Sequence, residues 1–518
     1  MILLKRKEDC CGCSACVNIC PVHCIEMQYD EEGFTYPVID EKRCLKCSKC
    51  NKVCPIENSE ILPLDLNIFQ QKTYGGYHKD DTLRELSSSG GAFSLFAAEI
   101  LKNGGKVYGC TLDSDMKAVH LGIDKLDDLI LLQGAKYVQS DINNVYKHIK
   151  EELENGRKIL FVGTPCQAAG LYTFLGKQKH PNLFIIDFIC HGVPSTKVFA
   201  DYIDSEEKRQ GSKITKFKFR NKDKGWSQTG LQLGTYLEYQ DGNHIRKYPA
   251  FRDSYMNGFL NDVYLRPSCY ECHFKTPNKL WSDITIGDFW GVDKVTPELN
   301  DKKGTSLIII NTKHGQDLWD KVKGEFNYSE VDFRKAIQGN SPYYKSAKRS
   351  LRRDKFFEDY YSKGYNYIKR KYMSAFSWAI YKICSILNTM WTMFGQFIKF
   401  GIVGLSNTII SLGVYYLCLF VHIHYLTAYT AGFLMSVINS FYWNNKYVFR
   451  NKKERSLLMI FVKVLTSYGV SFLFSMLLIS FMVEILKVSS TIAPILKMAI
   501  TIPLNFVLNK VWAFKDKK

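Results

Sequence analysis

Two cysteine runs near the N-terminus contain the residues of this 518-residue chain that are best suited to chemistry. Each run has the spacing C-x2-C-x2-C-x3-C and is followed by a proline; the runs are Cys10, Cys13, Cys16 and Cys20 before Pro21, and Cys44, Cys47, Cys50 and Cys54 before Pro55. Thiolates at this spacing bind [4Fe–4S] cubane clusters, and the fourth cysteine of each run binds the cluster of the other run. We therefore predict one cluster on Cys10, Cys13, Cys16 and Cys54 and a second on Cys44, Cys47, Cys50 and Cys20.

The same cysteines have a competing interpretation as two zinc sites, because C-x2-C is also a common half of a zinc site. Zinc needs four ligands per site, however, and does not account for an x3-C-P ending that occurs twice. Iron–sulfur clusters are therefore favoured. The run is that of bacterial ferredoxins, which predicts a two-cluster ferredoxin module over residues 1–60 and a role in electron entry or relay. Cys11 and Cys24 lie outside this register and are expected to be small buried fillers.

The overall composition argues against two classes of protein. Lys and Arg number 69 against 51 Asp and Glu, and part of the excess lies beside C-terminal apolar stretches, at Lys446, Arg450, Lys452, Lys453, Arg455, Lys515, Lys517 and Lys518. This placement is typical of a cytoplasmic membrane face, and no nucleic-acid partner is expected. The 17 cysteines are clustered, and the N-terminus lacks an apolar signal segment. Metal-bound thiolates in a reducing cytosol are therefore expected rather than disulfides.

Residues 70–345 are predicted to form an α/β domain. Apolar strands that end in glycine or proline turns alternate with helical periodicity, as at 91–104 and 141–156,. Sites in such sheets lie at the carboxyl ends of strands, where the sequence places Cys166 and Cys190. The turn 87–91 precedes a helix, so its N–H groups and hydroxyls could contact a phosphate or a flavin edge. The alternative is a serine N-cap with a tight turn.

Six motifs occur in this region. Each is weak evidence by itself, but their order and spacing together are specific. They are Ser88-Ser89-Gly90-Gly91, Lys136-Tyr137-Val138-Gln139-Ser140, Gly163-Thr164-Pro165-Cys166-Gln167, Cys190-His191-Gly192, Cys269-Tyr270-Glu271-Cys272 and Gly287-Asp288-Phe289-Trp290-Gly291. Together with the ferredoxin run, they resemble the family of the coenzyme F420 hydrogenase/dehydrogenase beta subunit over most of residues 1–345. The resemblance implies a bound FAD, a further cubane cluster, and electron transfer between clusters, flavin and substrate.

The resemblance also implies roles for individual residues. The third cluster would be held by Cys166, Cys190, Cys269 and Cys272, which leaves Cys110 over. FAD would be contacted by Ser88, Ser89, Gly90 and Gly91 and by Lys136, Tyr137, Gln139 and Ser140, where a lysine can stabilise the negative charge of a reduced flavin ring. A competing interpretation of Cys166 is a redox-active or nucleophilic thiol. No catalytic acid or base is identified, and the electron acceptor stays open because fold does not determine substrate.

Residues 395–518 are predicted to form an all-α membrane domain with four spans. Apolar stretches near 400–421, 425–444, 457–483 and 490–510 are each long enough to cross about 30 Å of hydrocarbon. The preceding residues 346–394 are predicted to be a basic amphipathic linker with an interfacial helix over 375–395, which Lys382 interrupts,. A fifth span is the alternative for this helix.

An internal repeat indicates that the membrane domain contains two copies of a helical hairpin. The segment 397–400 corresponds to 461–464, and 441–449 corresponds to 506–514. Positive charge lies between the second and third spans and at the C-terminus, whereas the loops 422–427 and 484–491 are nearly uncharged. The positive-inside rule therefore predicts that both termini and the redox domains are cytoplasmic in a multi-pass cell-membrane protein.

These repeats, with Phe400-Gly401-Ile402-Val403-Gly404 and Asn407-Thr408 in the first span, resemble the GtrA-like family over about 395–518. The resemblance implies a role in moving or presenting polyprenyl-linked sugars during envelope polysaccharide assembly. Polar side chains within a span cost free energy in lipid. The candidates for a headgroup site are therefore Asn407, Asn439 and Asn505. The alternative is that they join helices by hydrogen bonds.

The sequence therefore predicts a multidomain protein with a bacterial-type two-cluster ferredoxin module, an α/β flavin- and cluster-binding domain and a C-terminal four-span membrane domain. As an enzyme, it would pass electrons from a soluble ferredoxin or similar donor through the clusters and FAD to a substrate, in cell-envelope polysaccharide biosynthesis. The alternative function is a translocase for lipid-linked sugars in which the redox domain is accessory.

Overall fold

The computed structural model describes residues 4, 6–58, 71–178, 180–226, 234–242, 245–276, 281–448, 457–488 and 493–513. The chain divides into two compact units, Met1–Trp378 and Ala379–Lys518. Most of the basic residues that suggest a cytoplasmic membrane face lie outside the described residues, namely Arg450, Lys452, Lys453, Arg455, Lys515, Lys517 and Lys518.

Residues 6–58 form a module in which one backbone path occurs twice. Its elements are α1 (Ala15–Ile19), the antiparallel strands β1 (Ile25–Tyr29) and β2 (Thr35–Ile39), and α2 (Lys49–Lys52). The backbone has a positive φ at Gly12 and Ser14 before α1, and again at Lys46 and Ser48 before α2. Each cysteine trio therefore follows the same path, as the duplicated spacing predicts.

The central domain contains eight strands in one mixed sheet. They are β3 (Lys72–His78), β4 (Lys106–Leu112), β5 (Ala118–Ile123), β6 (Ile159–Gly163), β7 (Leu183–Phe188), β11 (Ile284–Asp288), β12 (Ser306–Ile310) and β13 (Phe326–Glu330). Their order is β13-β3-β12-β11-β7-β6-β4-β5. The inner strands β11, β7, β6 and β4 are parallel, and the remaining neighbours pair antiparallel. Strand β6 is buried along its whole length, as expected for a parallel strand that is covered on both faces,.

The helices of the first unit after the ferredoxin module are α3 (Asp81–Leu86), α4 (Ala92–Lys102), α5 (Leu129–Leu132), α6 (Val145–Glu154), α7 (Pro165–Phe174), α8 (Thr196–Gln210), α9 (Ser254–Leu260), α10 (Pro267–Tyr270), α11 (Val292–Val295), α12 (Lys313–Val322), α13 (Phe333–Ala336), α14 (Arg353–Lys363) and α15 (Tyr365–Tyr372). Helices α4, α5 and α12 pack on one face of the sheet, and α6 and α7 pack on the other. The ferredoxin module joins the second of these cores through Cys13 and Ala15. The predicted α/β central domain is therefore confirmed.

A second, smaller sheet belongs to the same unit. Its antiparallel strands β8 (Ile214–Asn221), β9 (Gly234–Tyr239) and β10 (Ile245–Pro249) have the order β10-β9-β8. The sheet shares an aromatic core with α8, α9, α14 and α15, in which Phe199, Tyr255 and Phe356 are buried.

The segment 353–372 differs from the linker that the sequence predicts over 346–394. Helices α14 and α15 pack into the aromatic core of the first unit, where Phe356 and Ile368 are fully buried. Their basic residues have partners within this unit, since Arg353 pairs with Glu32 of the ferredoxin module and Lys371 pairs with Asp359 at 2.7 Å. A basic segment with buried aromatic residues is thus part of a globular core, which charge counting alone does not reveal.

The second unit is helical. Its helices are α16 (Ala375–Phe420), α17 (Tyr425–Trp443), α18 (Leu457–Ser480) and α19 (Ala493–Leu508). Among the described residues, the stretch Met393–Phe420, with a mean hydropathy of 1.7, is the one helix long and apolar enough to cross a membrane. Leu405 and Leu417 on this stretch are both 65 % exposed, as expected for side chains that face lipid. Helices α17, α18 and α19 coincide with the other three predicted spans, whose crossing stays a prediction.

Helix α16 differs from the predicted interfacial helix over 375–395. This segment and the first predicted span form one helix of 46 residues, which is about 69 Å long at 1.5 Å per residue. The sequence predicts that the interfacial helix ends at Gly395, but this residue lies within the continuous helix α16. A single glycine costs only about 1 kcal/mol of helix propensity and keeps its backbone N–H donor, so the helix continues.

The internal repeat of the second unit is visible in its backbone. Helices α17 and α19 end in π-helical turns at corresponding positions, Asn444–Val448 and Asn509–Ala513. Asn439 of α17 donates hydrogen bonds to Ser406 Oγ at 2.7 Å and to Asn407 Oδ1 at 2.8 Å. These contacts give Asn407 and Asn439 the helix-joining role that the sequence left as one of two alternatives.

Candidate redox site

The first predicted set of ligands comes together in the structure. Burial raises the pKa of the Cys16 thiol, and the nearby Cys10 and Cys54 thiols raise it further. Burial also raises the pKa of Cys54, and Cys10 adds to that effect. Cys13 packs against α7, where a Cβ atom on Gly170 would lie 3.0 Å from the Cys13 Sγ atom. Cys54, from the second run, therefore lies with the trio of the first run, in the crossed arrangement that the spacing predicts.

The second predicted set gathers around Cys24, which the sequence assigned only as a filler. The Sγ atoms of Cys20 and Cys24 are 3.5 Å apart. Burial raises the pKa of Cys24 to about 11, and the thiols of Cys20 and Cys44 contribute to the rise. Cys20, Cys24 and Cys50 form a small buried cluster against which Cys44 packs. Cys47 is exposed, so this set lies at the surface of the module.

The four cysteines of the predicted third set also converge, although up to 106 positions separate them in the sequence. Burial raises the pKa of Cys190 to about 12. The charge of Lys275 lowers this pKa, whereas the thiols of Cys166 and Cys272 raise it. Burial is likewise the largest cause of the raised pKa of Cys269, and the thiols of Cys190, Cys272 and Cys166 raise this pKa further. The sheet brings them together, because α7 begins after β6, Cys190 follows the neighbouring β7, and α10 lies beside them.

The chemistry of these thiols suits iron–sulfur clusters. Within the described ranges, no three His, Cys, Asp or Glu side chains converge closely enough to bind a single metal ion. Ligands of a cubane are spaced more widely than that, because each one binds a different iron. Buried thiols that raise one another's pKa cannot all ionise unless a cationic centre neutralises them. An iron–sulfur cluster is such a centre, so the residues present are compatible with clusters.

Cys11 is the residue of this region whose position the sequence does not reveal. A hydrogen bond between Cys11 and Cys166 is the largest cause of the raised pKa of Cys166, and burial is the next. Cys11 also lies within hydrogen-bond reach of Cys13. It therefore lies between the first set and the third set, in direct contact with one member of each.

Two adjoining cavities lie in this region, and the smaller of them opens beside the third set. The larger has a volume of about 1050 Å³ and the smaller about 520 Å³. Cys11, Cys110, Cys166 and Cys190 line the smaller cavity. Of the predicted FAD contacts, four line both cavities, namely Ser88, Lys136, Gln139 and Ser140. Ser89, Gly91 and Tyr137 line the smaller cavity alone, and Gly90 lines neither.

The serine–glycine turn is held by contacts within the protein. Ser88 Oγ accepts a hydrogen bond from the backbone N–H of Ala135 at 2.6 Å, and Ser89 Oγ donates to the carbonyl of Thr305 at 2.8 Å. A Cβ atom on Gly90 would lie 2.5 Å from the carbonyl oxygen of Gly76, so this glycine allows close packing on β3. The N-cap of α4 is Gly91, which has a φ of 91° and no side chain to cap the helix. The alternative of a serine N-cap is therefore wrong.

The second predicted flavin segment is also tied to the protein. Lys136 Nζ donates to the carbonyls of Leu132 and Gln133 at 3.0 and 2.8 Å, at the C-terminal end of α5. Burial lowers the pKa of Lys136 to about 8. Ser140 Oγ accepts a hydrogen bond from Gln167 Nε2 at 2.9 Å, which connects this segment to α7 beside Cys166. Lys136 thus compensates a helix terminus, while its stem lines the cavities.

Sequence reasoning missed Arg220 and did not assign a role to Asp288. Arg220 on β8 lines both cavities, and its Nη1 atom donates to Asp288 Oδ2 at 2.5 Å. Asp288 Oδ1 accepts from Trp226 Nε1 at 3.1 Å. The signal available in the sequence was the aspartate of the motif 287–291; nothing in the sequence pairs it with an arginine 68 positions earlier.

Fold and thiol sets together define a class of protein, an iron–sulfur oxidoreductase-like module fused to a helical membrane domain. Comparison with known families divides the chain in the same way. Residues 9–58 match the 4Fe-4S dicluster domain, residues 156–333 match the C-terminal domain of the coenzyme F420 hydrogenase/dehydrogenase beta subunit, and residues 399–514 match the GtrA/DPMS transmembrane domain. The resemblances found from motifs are therefore confirmed, in the predicted order along the chain.

Individual proteins are similar to parts of the chain. The uncharacterized membrane protein YngA of Bacillus subtilis (strain 168) is 28 % identical over 123 residues, which are 23 % of this chain and 78 % of that protein. A chain in the structure of the F420-reducing [NiFe] hydrogenase complex from Methanosarcina barkeri is 16 % identical, with a TM-score of 0.35, and the match covers 52 % of this chain and 89 % of that chain. The transmembrane family and YngA both place this chain among membrane proteins.

Proposed function

We propose that this protein is a membrane-bound iron–sulfur flavoprotein oxidoreductase that passes electrons from a ferredoxin-type donor through [4Fe–4S] clusters and FAD to a substrate. The observation that carries the proposal is the convergence of Cys166, Cys190, Cys269 and Cys272 beside the smaller cavity, which Cys166 and Cys190 line. Cys11 then connects this third set to the first set. A soluble donor would reach the module near Cys47, whose side is exposed.

The residues around the site have separable roles in this proposal. The first and second sets would hold two clusters, and the third set would hold one more. FAD, lodged in the two cavities, would supply the exchange between single electrons and electron pairs. Ser88, Gln139 and Ser140 would position it, because each lines both cavities and is itself held by the protein. Burial of the thiols excludes water from the path, which protects reduced centres from side reactions.

The membrane domain would hold the redox module at the cytoplasmic face of the cell membrane, with four spans and both termini inside. The reaction would then belong to cell-envelope polysaccharide biosynthesis, with a polyprenyl-linked sugar as the lipid-borne substrate. Support for this part comes from the matching transmembrane family and from the charge distribution of the loops.

A second candidate is a translocase for lipid-linked sugars with an accessory redox domain. The match to a GtrA/DPMS transmembrane domain favours it. The two candidates differ in what the full chain does in detergent. An oxidoreductase reduces an artificial acceptor when reduced ferredoxin is supplied, at a rate that depends on its flavin, whereas a translocase leaves the acceptor oxidised.

Cofactor content tests the proposal first. The full chain is purified anaerobically, and iron, acid-labile sulfide and flavin are quantified together with the absorbance spectrum. We expect about twelve irons and about one FAD per chain, since three cubanes contain four irons each. About eight irons with no flavin would remove the third cluster and the flavin from the proposal and leave an electron-relay module on a membrane domain.

A further inference from the structure

Arg220 lies at the junction of the two cavities with one edge of its guanidinium group unused. It lines both cavities, although its side chain is only 4 % exposed. Asp288 accepts a hydrogen bond from Nη1, whereas Nε and Nη2 have no hydrogen-bond partner among the residues that the structure describes. Leaving a buried donor unsatisfied is unfavourable, and more so when it is charged. Such groups are rare in folded proteins, and a bound ion or ligand is one explanation for them.

The surroundings of Arg220 hold the guanidinium in place without using that edge. Asp288 is fixed from its other side by Trp226, as described above, and the Trp290 ring centre lies 5.5 Å from Arg220 Cζ. The Tyr137 hydroxyl lies near enough to interact with the guanidinium through its charge and as a hydrogen-bond neighbour, although neither Nε nor Nη2 bonds to it. The arginine is therefore oriented before any ligand binds, which reduces the entropy lost on binding.

The charges around the smaller cavity favour an anion. Apart from two histidines, its basic lining residues are Lys136 and Arg220, and Asp288 is the only carboxylate among the described residues that line it. One positive charge is thus left without a counter-charge. The Lys136 ammonium is occupied by backbone carbonyls, so Arg220 is the cation whose donors remain available.

We propose that the Nε–Nη2 edge of Arg220 is a receptor for an oxyanion, a carboxylate or a phosphate group, of a molecule bound in the cavities. The two N–H bonds on this edge are parallel and match two oxygens of such a group in a bidentate pair, which a lysine cannot reproduce. The oxyanion belongs either to a phosphate of the dinucleotide or to the substrate itself. The assignment of these two sources rests on the proposed function, whereas the receptor role of Arg220 does not.

Three variants of the full chain separate a receptor from a purely structural arginine. R220K keeps a positive charge opposite Asp288 but loses the bidentate edge, and R220Q loses the charge as well. R252Q is the matched control, because Arg252 is an exposed arginine that lines neither cavity. Iron content and circular dichroism establish that each variant has folded and carries its clusters.

Isothermal titration with inorganic pyrophosphate and with citrate, on flavin-depleted and flavin-loaded protein, measures the receptor directly. We expect R220K and R220Q to bind at least about tenfold more weakly than the wild type, from the loss of a charge-assisted bidentate pair, and R252Q to stay within about twofold. If the dinucleotide supplies the oxyanion, FAD competes with pyrophosphate and the Arg220 variants lose FAD affinity by about tenfold as well. If the substrate supplies it, FAD affinity is unchanged and the anions still bind to flavin-loaded protein.

Two results would overturn the proposal. One is a wild type that binds neither anion in either flavin state, and the other is R220K and R220Q variants that bind the anions and FAD as the wild type does. A wild type that contains no flavin but still binds pyrophosphate through Arg220 would remove the proposed function and leave the receptor in place.

Discussion

Arg266 donates a hydrogen bond of 2.7 Å from Nε to the carbonyl oxygen of Cys10, across 256 positions of sequence. Its other nitrogens donate to Gln139 Oε1 at 2.9 Å and to the carbonyl of Thr35 at 2.8 Å. The side chain is completely buried. One guanidinium group therefore joins the ferredoxin module to the segment that lines both cavities. Because Arg266 precedes the Cys269–Cys272 pair, it also anchors the third thiol set.

Replacing Arg266 with methionine should loosen the ferredoxin module. The part-buried carbonyls of Cys10 and Thr35 and the buried amide oxygen of Gln139 lose their donor in this variant, and leaving a buried acceptor unsatisfied costs about 1–3 kcal/mol. We expect a lower melting temperature and a more negative midpoint potential of the clusters, because a buried positive charge near anionic centres is removed. Thermal unfolding and an EPR-monitored redox titration measure the two effects. R252M, at an exposed arginine, should show neither, and equal behaviour of the two variants would contradict the role of Arg266.

Replacing Cys166 with serine should remove the third cluster and leave the other two. Cys166 converges with Cys190, Cys269 and Cys272, so the loss of one thiolate leaves that site with three ligands. We expect about eight irons per chain instead of about twelve. C110S is the matched control, since Cys110 lines the same cavity but lies outside every predicted set. Equal iron contents in the two variants would exclude Cys166 as a ligand.

Replacing Asn439 with leucine should weaken the membrane domain. The variant loses the hydrogen bonds from α17 to Ser406 and Asn407 of α16. Such contacts between membrane helices are worth about 0.6 kcal/mol on average and up to about 1.7 kcal/mol. The expected result is a small decrease of the melting temperature of the second unit in detergent. S436A, at an exposed serine whose hydroxyl bonds only within α17, should leave it unchanged, and an unchanged N439L would return Asn439 to the headgroup alternative.

The first unit should lose stability as the pH falls below about 6.5, because of His120. This side chain is buried, its Nε2 atom lies 3.1 Å from the carbonyl of Val162, and burial lowers its pKa to about 4. The unfolded chain, with a pKa of about 6.5, therefore binds more protons than the folded chain between these values. Folded-state stability is full above about pH 6.5 and decreases as the pH falls toward 4. Melting temperatures measured from pH about 7.5 to about 5.5 should decrease more steeply for the wild type than for H120Q.

A matched control for His120 is available on the surface. His148 on α6 is exposed, so H148Q should follow the wild-type pH dependence. Identical slopes for the wild type and H120Q would show that His120 has the same pKa in the folded and unfolded chain. That result would contradict a ring that burial keeps neutral.

Much of the domain architecture follows from local patterns. The duplicated cysteine run predicts the repeated backbone path, because each x2 spacing leaves few conformations that direct three thiols to one centre. The alternation of apolar strands with helical segments predicts an α/β domain, and the apolar stretch near 400–421 predicts a membrane helix. Patterns fail where charge and packing compete. The basic segment 353–372 has the composition of a linker, yet its aromatic residues pack into the core of the first unit.

The sequence by itself determined which residues are candidates for the chemistry: the cysteine runs, the Cys166 and Cys190 turns, the C-x2-C pair and the polar residues of the membrane helices. Tertiary structure alone decided which of them meet. Cys11 contacts Cys166, Arg266 holds Cys10, and Arg220 meets Asp288, each across a long stretch of chain. Spacing along the chain is a local property that repeats and periodicity record. Contact between distant residues depends on strand order and on how the modules pack, which no single segment encodes.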